Sequence, residues 1–391
     1  MKTLELVFFD AGGGHRSAAN ALCEVVRQQD RQQDRPAARA WDMQMMNLQE
    51  LLDEMDVFRK ITGIRLQDVY NLILQRGWTL GSAQLLPLMH GVIRVYHRKQ
   101  VDLLVKYWQG RKPDMVVSVI PNFNRAMFDA MQVALPGVPM VTVLTDMADY
   151  PPHFWIERQP QYLICGTKKA YDQALQAGHR KEMVFLTSGM ILNPRYYEPV
   201  TVDRFRDREA LGLDPHLPVF LMMFGGEGSS KMLQIARNLN QSGLPLQIIA
   251  ICGKNQKLRA DLEKMARTIP MHIEGFTKDV PRFMRLSDVF IGKPGPGSIS
   301  EAVAMGLPVI VENNLWTLPQ ERYNAEWVEE QGVGIALKSF QTQMVDAARR
   351  MLDPAQRAAF VAKVEKLNNR AVFEIPEILE GIMEMHDNTA P

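Results

Sequence analysis

Short apolar runs that alternate with helical patterns recur along the whole chain, and this alternation most constrains its fold. The first series of strand-like runs covers residues 4–9, 115–120, 140–144, 162–165 and 183–186. The second covers residues 219–224, 247–251, 271–274, 289–291 and 308–311. Continuous apolar strands separated by helices are typical of parallel sheets buried on both faces. We therefore predict an α/β protein with two doubly wound, Rossmann-like domains.

The two series are separated by a polar, proline-containing stretch near residues 188–218. We predict a first domain over residues 1–190, a linker over 191–217 and a second domain over 218–370. Residues 371–391 have a helical pattern and are expected to pack back on the first domain. Residues 47–105 are expected to form a helical insertion before the second strand of the first series.

Charge and cysteine content exclude several classes of protein. The chain has 45 Lys and Arg against 44 Asp and Glu, so a basic surface for nucleic acid is not expected. Cys23, Cys165 and Cys252 lie in or beside apolar runs, which predicts buried thiols rather than disulfides. The sequence has no apolar run of about 18 residues and no signal-peptide pattern. We expect a cytoplasmic protein, either soluble or attached to a membrane face.

The stretch from Arg76 to Lys112 is strongly basic. It holds seven Lys or Arg residues and one acid, Asp102, and aromatic side chains such as Trp78 lie among them. Basic segments with aromatic residues are suited to the surface of an anionic bilayer. The alternative is a core helix with a solvated basic face.

A triglycine turn follows the first predicted strand. Its last glycines, Gly13 and Gly14, precede His15 at the strand's carboxyl end, where α/β folds bind ligands. Imidazole takes up a proton near neutral pH, so His15 is a candidate base. A single histidine is also a common structural residue.

A second polar loop follows the strand at 140–144. Asp146 comes first, and His153 and Trp155 follow in a proline-rich segment. Asp146 is a candidate for orienting His15 or for acting as the base itself. The alternative is an aspartate that caps a turn.

Two glycine-rich loops follow strands of the second series, at residues 224–231 and 292–298. Glycines let a ligand approach the backbone, and a helix N-terminus presents unpaired N–H groups to anions. Glu301, in the helix that follows, can accept hydrogen bonds from a ribose, so a nucleotide is predicted here. The alternative is an ordinary turn, and the loop at 224–231 lacks the Walker spacing for ATP hydrolysis. The candidate phosphate-binding residues are Gly225, Gly226, Ser229, Gly295, Gly297 and Ser298.

Two further positions have side chains suited to the rest of a nucleotide ligand. Phe276 follows a strand and can stack on a base, or it is a core residue. Gln320 and Glu321 can bind sugar hydroxyls, or they are exposed residues at a helix start.

Together these motifs resemble the monogalactosyldiacylglycerol synthase family, and more distantly the peptidoglycan lipid II N-acetylglucosaminyltransferase. The resemblance covers about residues 4–336 and combines the GGGH of 12–15 with the GPG of 295–297, Glu301 and the PQE of 319–321. It implies an inverting glycosyltransferase of GT-B fold, with two Rossmann-like domains facing across a cleft. The first domain would face the membrane and the acceptor, and the second would bind a UDP-sugar without a metal or any other cofactor.

The resemblance also implies roles for individual residues. Glu301 would hold the ribose, Phe276 the uracil, the glycine loops the diphosphate, and Gln320 with Glu321 the sugar. His15 or Asp146 would deprotonate the acceptor hydroxyl, beside an acceptor loop of Gly13, Gly14, His153 and Trp155. The family's usual G-x-P-[IV]-R-P segment is replaced by residues 189–195, so Arg195 becomes the candidate phosphate ligand.

The predicted reaction transfers galactose or glucose from a UDP-sugar to a membrane lipid such as diacylglycerol, at the inner face of the cell membrane. The alternatives are a UDP-sugar epimerase or hydrolase of the same fold, and a transferase that uses UDP-N-acetylglucosamine and another lipid. A binding protein that has kept the fold without catalysis is a third.

Overall fold

In the computed structural model of the protein, the described residues are 2–10, 14–31, 41–52 and 95–389. The chain forms two compact units, one of Met1–Pro194 with Asn369–Pro391 and the other of Arg195–Asn368. Most of the predicted helical insertion, the basic residues from Arg76 to Arg94 and Gly13 of the predicted acceptor loop lie outside the described residues.

The first unit contains a six-stranded parallel sheet. Its strands are β1 (Lys2–Phe8), β2 (Trp41–Asn47), β3 (Met115–Ser118), β4 (Met140–Val143), β5 (Tyr162–Cys165) and β6 (Val184–Leu186). Their order is β2-β1-β3-β4-β5-β6. β2 lies on one side of β1, and the chain then crosses to the other side of β1 to form β3. Such a reversal between β1 and β3 is where open α/β sheets bind ligands. The helices described in this unit are Gly14–Arg31, Leu48–Leu52, His97–Arg111, Asn124–Ala134, Lys168–Gln176 and Ala371–Thr389.

The second unit contains a second six-stranded parallel sheet. Its strands are β7 (Val219–Met223), β8 (Gln247–Ile251), β9 (Met271–Glu274), β10 (Val289–Ile291), β11 (Val309–Glu312) and β12 (Gly334–Leu337). Their order is β12-β11-β10-β7-β8-β9, which puts the reversal between β7 and β10. The helices are Arg204–Ala210, Lys231–Asn240, Gln256–Glu263, Val280–Arg285, Pro296–Ala304, Arg322–Gln331, Phe340–Leu352 and Pro354–Val364.

The cores of both units follow from the apolar runs of the sequence. All residues of β3, β4, β7 and β8 are buried, as strands covered by helices on both faces require. The helix Lys231–Asn240 buries Met232, Ile235, Ala236 and Leu239, the spacing of one helical face. The two sheets confirm the predicted α/β class.

Two strands are absent from the sequence prediction. β2 was overlooked because Asp42 and Gln44 interrupt its apolar residues, and most of its residues are only partly buried. β12 has four residues and begins with Gly334. Both lie at the edge of their sheet, where a strand has one neighbour and its pattern is weaker.

Two segments outside the sheets have defined contacts. The helix Ala371–Thr389 lies in the first unit, where Glu374 Oε2 accepts the backbone N–H of Ser188 at 2.7 Å. The helix Arg204–Ala210 lies in the second unit, where buried Arg208 donates to the Leu286 carbonyl at 2.8 Å and to Asp288 Oδ2 at 2.8 Å. Across the described ranges, no helix combines the length and apolarity needed to span a bilayer.

Candidate functional site

His15 lies in the first turn of the helix after β1, at the reversal of the first sheet. Its Nδ1 is 3.1 Å from Thr145 Oγ1, and its ring also hydrogen-bonds the backbone of Val119. Val119 follows β3 and Thr145 follows β4, so the loops after three strands meet at this imidazole. Burial lowers the pKa of His15 to about 4, and the hydrogen bond to Val119 opposes that shift only in part. The imidazole is therefore neutral near pH 7, and its basicity has to be raised by charge stabilisation of the imidazolium if it is to accept a proton.

Trp155 lies beside His15 and holds Asp146. The indole Nε1 of Trp155 donates to Asp146 Oδ2 at 2.9 Å, and the Trp155 and His15 ring centroids are 6.0 Å apart. Trp155, a member of the predicted acceptor loop, is fully buried. Its indole packs next to the imidazole of His15 and holds the carboxylate of Asp146. His153 is exposed, with Nδ1 3.1 Å from the Ile156 carbonyl oxygen.

Asp149 organises this loop and was missed by the sequence analysis. Its buried carboxylate accepts the backbone N–H groups of His153 at 2.9 Å, Trp155 at 2.6 Å and Ile156 at 3.4 Å. Burial raises the pKa of Asp149, although these hydrogen bonds favour its charged form. An aspartate just before a proline turn is a recognisable turn-former, and this was the available signal.

Glu301 lies in the helix Pro296–Ala304 of the second unit. It accepts a hydrogen bond from the buried hydroxyl of Tyr196, and Arg195 lies close enough for charge attraction. Burial raises the pKa of Glu301 to about 7 and outweighs both neighbours. The guanidinium of Arg195, the predicted phosphate ligand, donates through Nη1 to the Lys278 carbonyl at 3.1 Å. Arg195 and Glu301 therefore belong to one polar cluster, which sequence spacing alone did not indicate.

The two glycine-rich loops follow β7 and β10, the strands that flank the reversal of the second sheet. A Cβ on Gly292 would lie 2.8 Å from the Met223 carbonyl oxygen of β7. A third loop, after β8, also packs here: a Cβ on its Gly253 would lie 2.1 Å from the Gly226 carbonyl oxygen. The backbone N–H of Lys254 donates to that same oxygen at 2.8 Å. Glycine is therefore required for the loops to pack this closely.

One lysine of each glycine loop is held by a carboxylate. Lys293 Nζ lies 2.9 Å from Glu321 Oε1, and Lys231 forms an ion pair with the buried carboxylate of Glu312. Neither lysine was a sequence-predicted site residue. Glu321 and Gln320, the predicted sugar ligands, lie on the short turn Pro319–Glu321.

Phe276 is 58% exposed, although the sequence left open a core position for it. The ammonium of Lys254 lies 5.9 Å from its ring centroid and pairs with Glu227 at 3.2 Å. An exposed ring beside the glycine loop is available for stacking. Among the described residues, no group of three or more His, Cys, Asp or Glu side chains is placed to hold a metal ion.

Comparison with known proteins agrees with this architecture. Residues 221–373 match the glycosyltransferase family 28 C-terminal domain. A probable monogalactosyldiacylglycerol synthase 2, chloroplastic, of Oryza sativa subsp. japonica is 28% identical over 357 residues, which cover 86% of this chain and 71% of that protein.

Solved structures give the same fold at lower identity. The MurG structure of Acinetobacter baumannii has a TM-score of 0.59 at 13% identity, covering 97% of this chain and 99% of that one. A putative UDP-N-acetylglucosamine 2-epimerase of Listeria monocytogenes has a TM-score of 0.59 at 15% identity, with coverages of 99% and 97%. These likenesses show the GT-B fold and leave the activity to other observations.

The sequence relatives identify the class of enzyme, which the fold alone does not. They confirm the resemblance inferred from the glycine loops and the PQE segment. The protein is a glycosyltransferase of GT-B fold, related to the monogalactosyldiacylglycerol synthases.

Proposed function

We propose that the protein transfers a hexose, galactose or glucose, from its UDP-sugar to a lipid acceptor such as diacylglycerol, with inversion at the anomeric carbon. The single observation that carries this proposal is the partly buried imidazole of His15 at the reversal of the first sheet, where it contacts residues that follow β3 and β4. It is supported by the similarity to monogalactosyldiacylglycerol synthases over 86% of the chain.

The donor is assigned to the second unit. The glycine loops after β7 and β10 lie at the position where α/β sheets bind nucleotides. Glu301 takes the ribose hydroxyls, Phe276 stacks on the uracil, and Gln320 with Glu321 binds the hexose. Arg195, close enough to Glu301 for charge attraction, adds positive charge near the diphosphate.

The chemical step is a single displacement. A ring nitrogen of His15 takes the proton of the acceptor hydroxyl as that oxygen attacks the anomeric carbon, and UDP leaves with the bonding electrons. Asp146, held by Trp155, stabilises the imidazolium that forms. Backbone N–H groups of the glycine loops receive the charge that develops on the diphosphate.

The acceptor is assigned to a membrane surface at the inner face of the cell membrane, with the protein peripherally bound. The helix His97–Arg111 buries Leu104 and Trp108 and exposes Arg98, Lys99 and Lys106. Buried Glu5 accepts hydrogen bonds from Tyr107 and Trp108 and fixes this helix on the sheet. The exposed basic residues of this helix are suited to binding anionic lipids.

The decisive experiment offers the protein a panel of UDP-sugars with vesicles of diacylglycerol and anionic lipid, followed by mass analysis of the lipids. We expect a monohexosyldiacylglycerol and a release of UDP that depends on the lipid. An epimerised sugar nucleotide or free hexose formed without lipid would establish the epimerase or hydrolase instead. The variant His216→Ala removes an exposed histidine of the second unit and is the matched control for His15 substitutions.

A further inference from the structure

We propose that Lys293 and Glu321 form a donor-exchanged ion pair: on donor binding, the ammonium moves to the diphosphate and the carboxylate is released to the hexose hydroxyls. This inference rests on the proposed UDP-hexose function. It adds Lys293 to the donor site and gives that site a means to distinguish UDP-hexose from UDP. The site would thereby prefer UDP-hexose, the substrate, over UDP, the product.

The position of Lys293 supports the first half of the exchange. Its backbone lies in the loop after β10, and a Cβ on Gly295 of that loop would lie 3.3 Å from Lys293 Cε. A Cβ on Gly225, in the loop after β7, would lie 3.9 Å from the same atom. The lysine stem therefore lies between the two glycine loops. These loops follow β10 and β7, the strands on either side of the sheet reversal. A diphosphate held by these loops would lie within reach of the ammonium.

The environment of Glu321 supports the second half. A Cβ on Gly295 would also lie 3.8 Å from Glu321 Oε1, so the carboxylate faces the same loop as the lysine. The Glu321 side chain is only 12% exposed, whereas that of Lys293 is 45% exposed. A largely buried carboxylate that loses its cation needs other hydrogen-bond donors. Hexose hydroxyls supply them, but free UDP has no hexose.

The backbone around the pair is held rigid. Fully buried Asn324 donates through Nδ2 to the Pro294 carbonyl at 2.8 Å, next to Lys293 in sequence. Asn324 lies one helical turn after Glu321, so one segment anchors the loop and carries the carboxylate. We therefore assign the exchange to side-chain motion.

Lys231 provides the contrast within the same unit. Its partner Glu312 uses its other oxygen to accept the backbone N–H of Phe340 at 2.8 Å, which joins β11 to the helix Phe340–Leu352. Both carboxylate oxygens of Glu312 thus have structural partners. This pair is expected to stay intact on donor binding.

The test is calorimetric titration of the full chain with UDP, UDP-galactose and UDP-glucose at one pH. Wild-type protein should bind one UDP-hexose more tightly than UDP. Lys293→Met should weaken UDP binding on the order of ten- to a hundredfold, the loss of a charge-assisted contact. Glu321→Gln should leave UDP binding unchanged or tighter and abolish the preference for UDP-hexose.

The double variant Lys293→Met with Glu321→Gln removes both charges and keeps the test valid if the single lysine variant does not fold. It should bind UDP on the order of ten- to a hundredfold more weakly than wild type, without a preference for UDP-hexose. Lys231→Met is the matched control and should keep the wild-type ratio of the two affinities.

Three outcomes would contradict the exchange or its basis. Unchanged UDP binding in the lysine variants would show that Lys293 does not reach the diphosphate. Equal loss of UDP binding in Glu321→Gln and Lys293→Met would make the pair a fixed structural contact. Wild-type protein that binds neither UDP nor UDP-hexose would overturn the donor assignment itself.

Discussion

The regions around His15 and Glu301 use the same physical effect on opposite groups. Burial favours the neutral form of a side chain, so it lowers the pKa of His15 to about 4 and raises that of Glu301 to about 7. At His15 the result is an unprotonated imidazole whose basicity is lowered by the same burial. At Glu301 it is a carboxyl group near half-protonation at neutral pH, despite the adjacent Arg195. Desolvation, more than neighbouring charge, thus sets the protonation state in both units.

The largest predicted effect tests the first of these regions. His15→Ala removes the base and should lower kcat by about 10² to 10⁴, the usual contribution of general base catalysis. UDP affinity should stay at the wild-type value, because the donor is assigned to the second unit. Steady-state kinetics with calorimetric UDP titration separates the two quantities. Near-normal turnover in this variant would mean that Asp146, and not His15, is the base. His216→Ala is the control for loss of a histidine.

The next effect tests how the loop after β8 packs against the glycine loop after β7 in the second unit. Gly253→Ala should destabilise the protein on the order of 3 kcal/mol, because the φ of 59° is strained for alanine and its Cβ would meet the Gly226 carbonyl oxygen. UDP binding should weaken as the loop is displaced. Gly243→Ala is the control, since its φ of 67° carries the same strain and no atom lies within 4 Å.

Chemical denaturation measures the stability of these two glycine variants, and calorimetry measures UDP binding. Equal losses of stability in both would show that backbone strain alone accounts for the effect. Unchanged UDP binding in Gly253→Ala would show that this packing does not shape the donor site.

Asp149→Asn should destabilise the first unit by about 2 kcal/mol. Asparagine keeps one acceptor oxygen but turns an amide toward backbone N–H groups that now donate to the carboxylate. Trp155 would lose its position against His15, so kcat should fall while UDP affinity is retained. Asp172→Asn, on a solvent-facing ion pair with Lys168, is the control for loss of a surface carboxylate. If Asp149→Asn is stable and fully active, the prolines of this loop, and not Asp149, determine its conformation.

The sequence was sufficient for the fold because strands buried on both faces leave continuous apolar runs, as β7 and β8 do. The triglycine turn and the GPG turn also singled out His15, Glu301 and the glycine loops as candidates, and their roles stay predictions. It missed β2, whose edge position permits polar residues, and Asp149, whose partners are backbone N–H groups of a loop. The Lys293–Glu321 pair joins residues that are 28 positions apart in sequence. Such a pair becomes visible only when the sheet brings the two loops together.

The smallest predicted effect compares the two regions directly, through the pH dependence of stability. Native Glu301 keeps its proton up to about pH 7, whereas an unfolded chain releases it near the ordinary value of 4.5. Wild-type protein should therefore lose stability relative to Glu301→Gln as pH rises from 4.5 to 7. The difference should reach roughly 1 to 2 kcal/mol at this partly exposed group and stay constant above pH 7.

His15 should give the opposite slope, because its native pKa lies below the ordinary value of 6.5. Wild-type protein should lose stability relative to His15→Ala as pH falls from 6.5 toward 4, since the unfolded chain takes up the proton first. Melting temperatures of the three proteins between pH 4 and 8.5 measure both slopes. Curves that run parallel to wild type in either variant would mean that burial does not set the protonation state of that group. If only the Glu301→Gln curve is parallel, Arg195 already holds Glu301 charged, and the likeness between the two regions ends there.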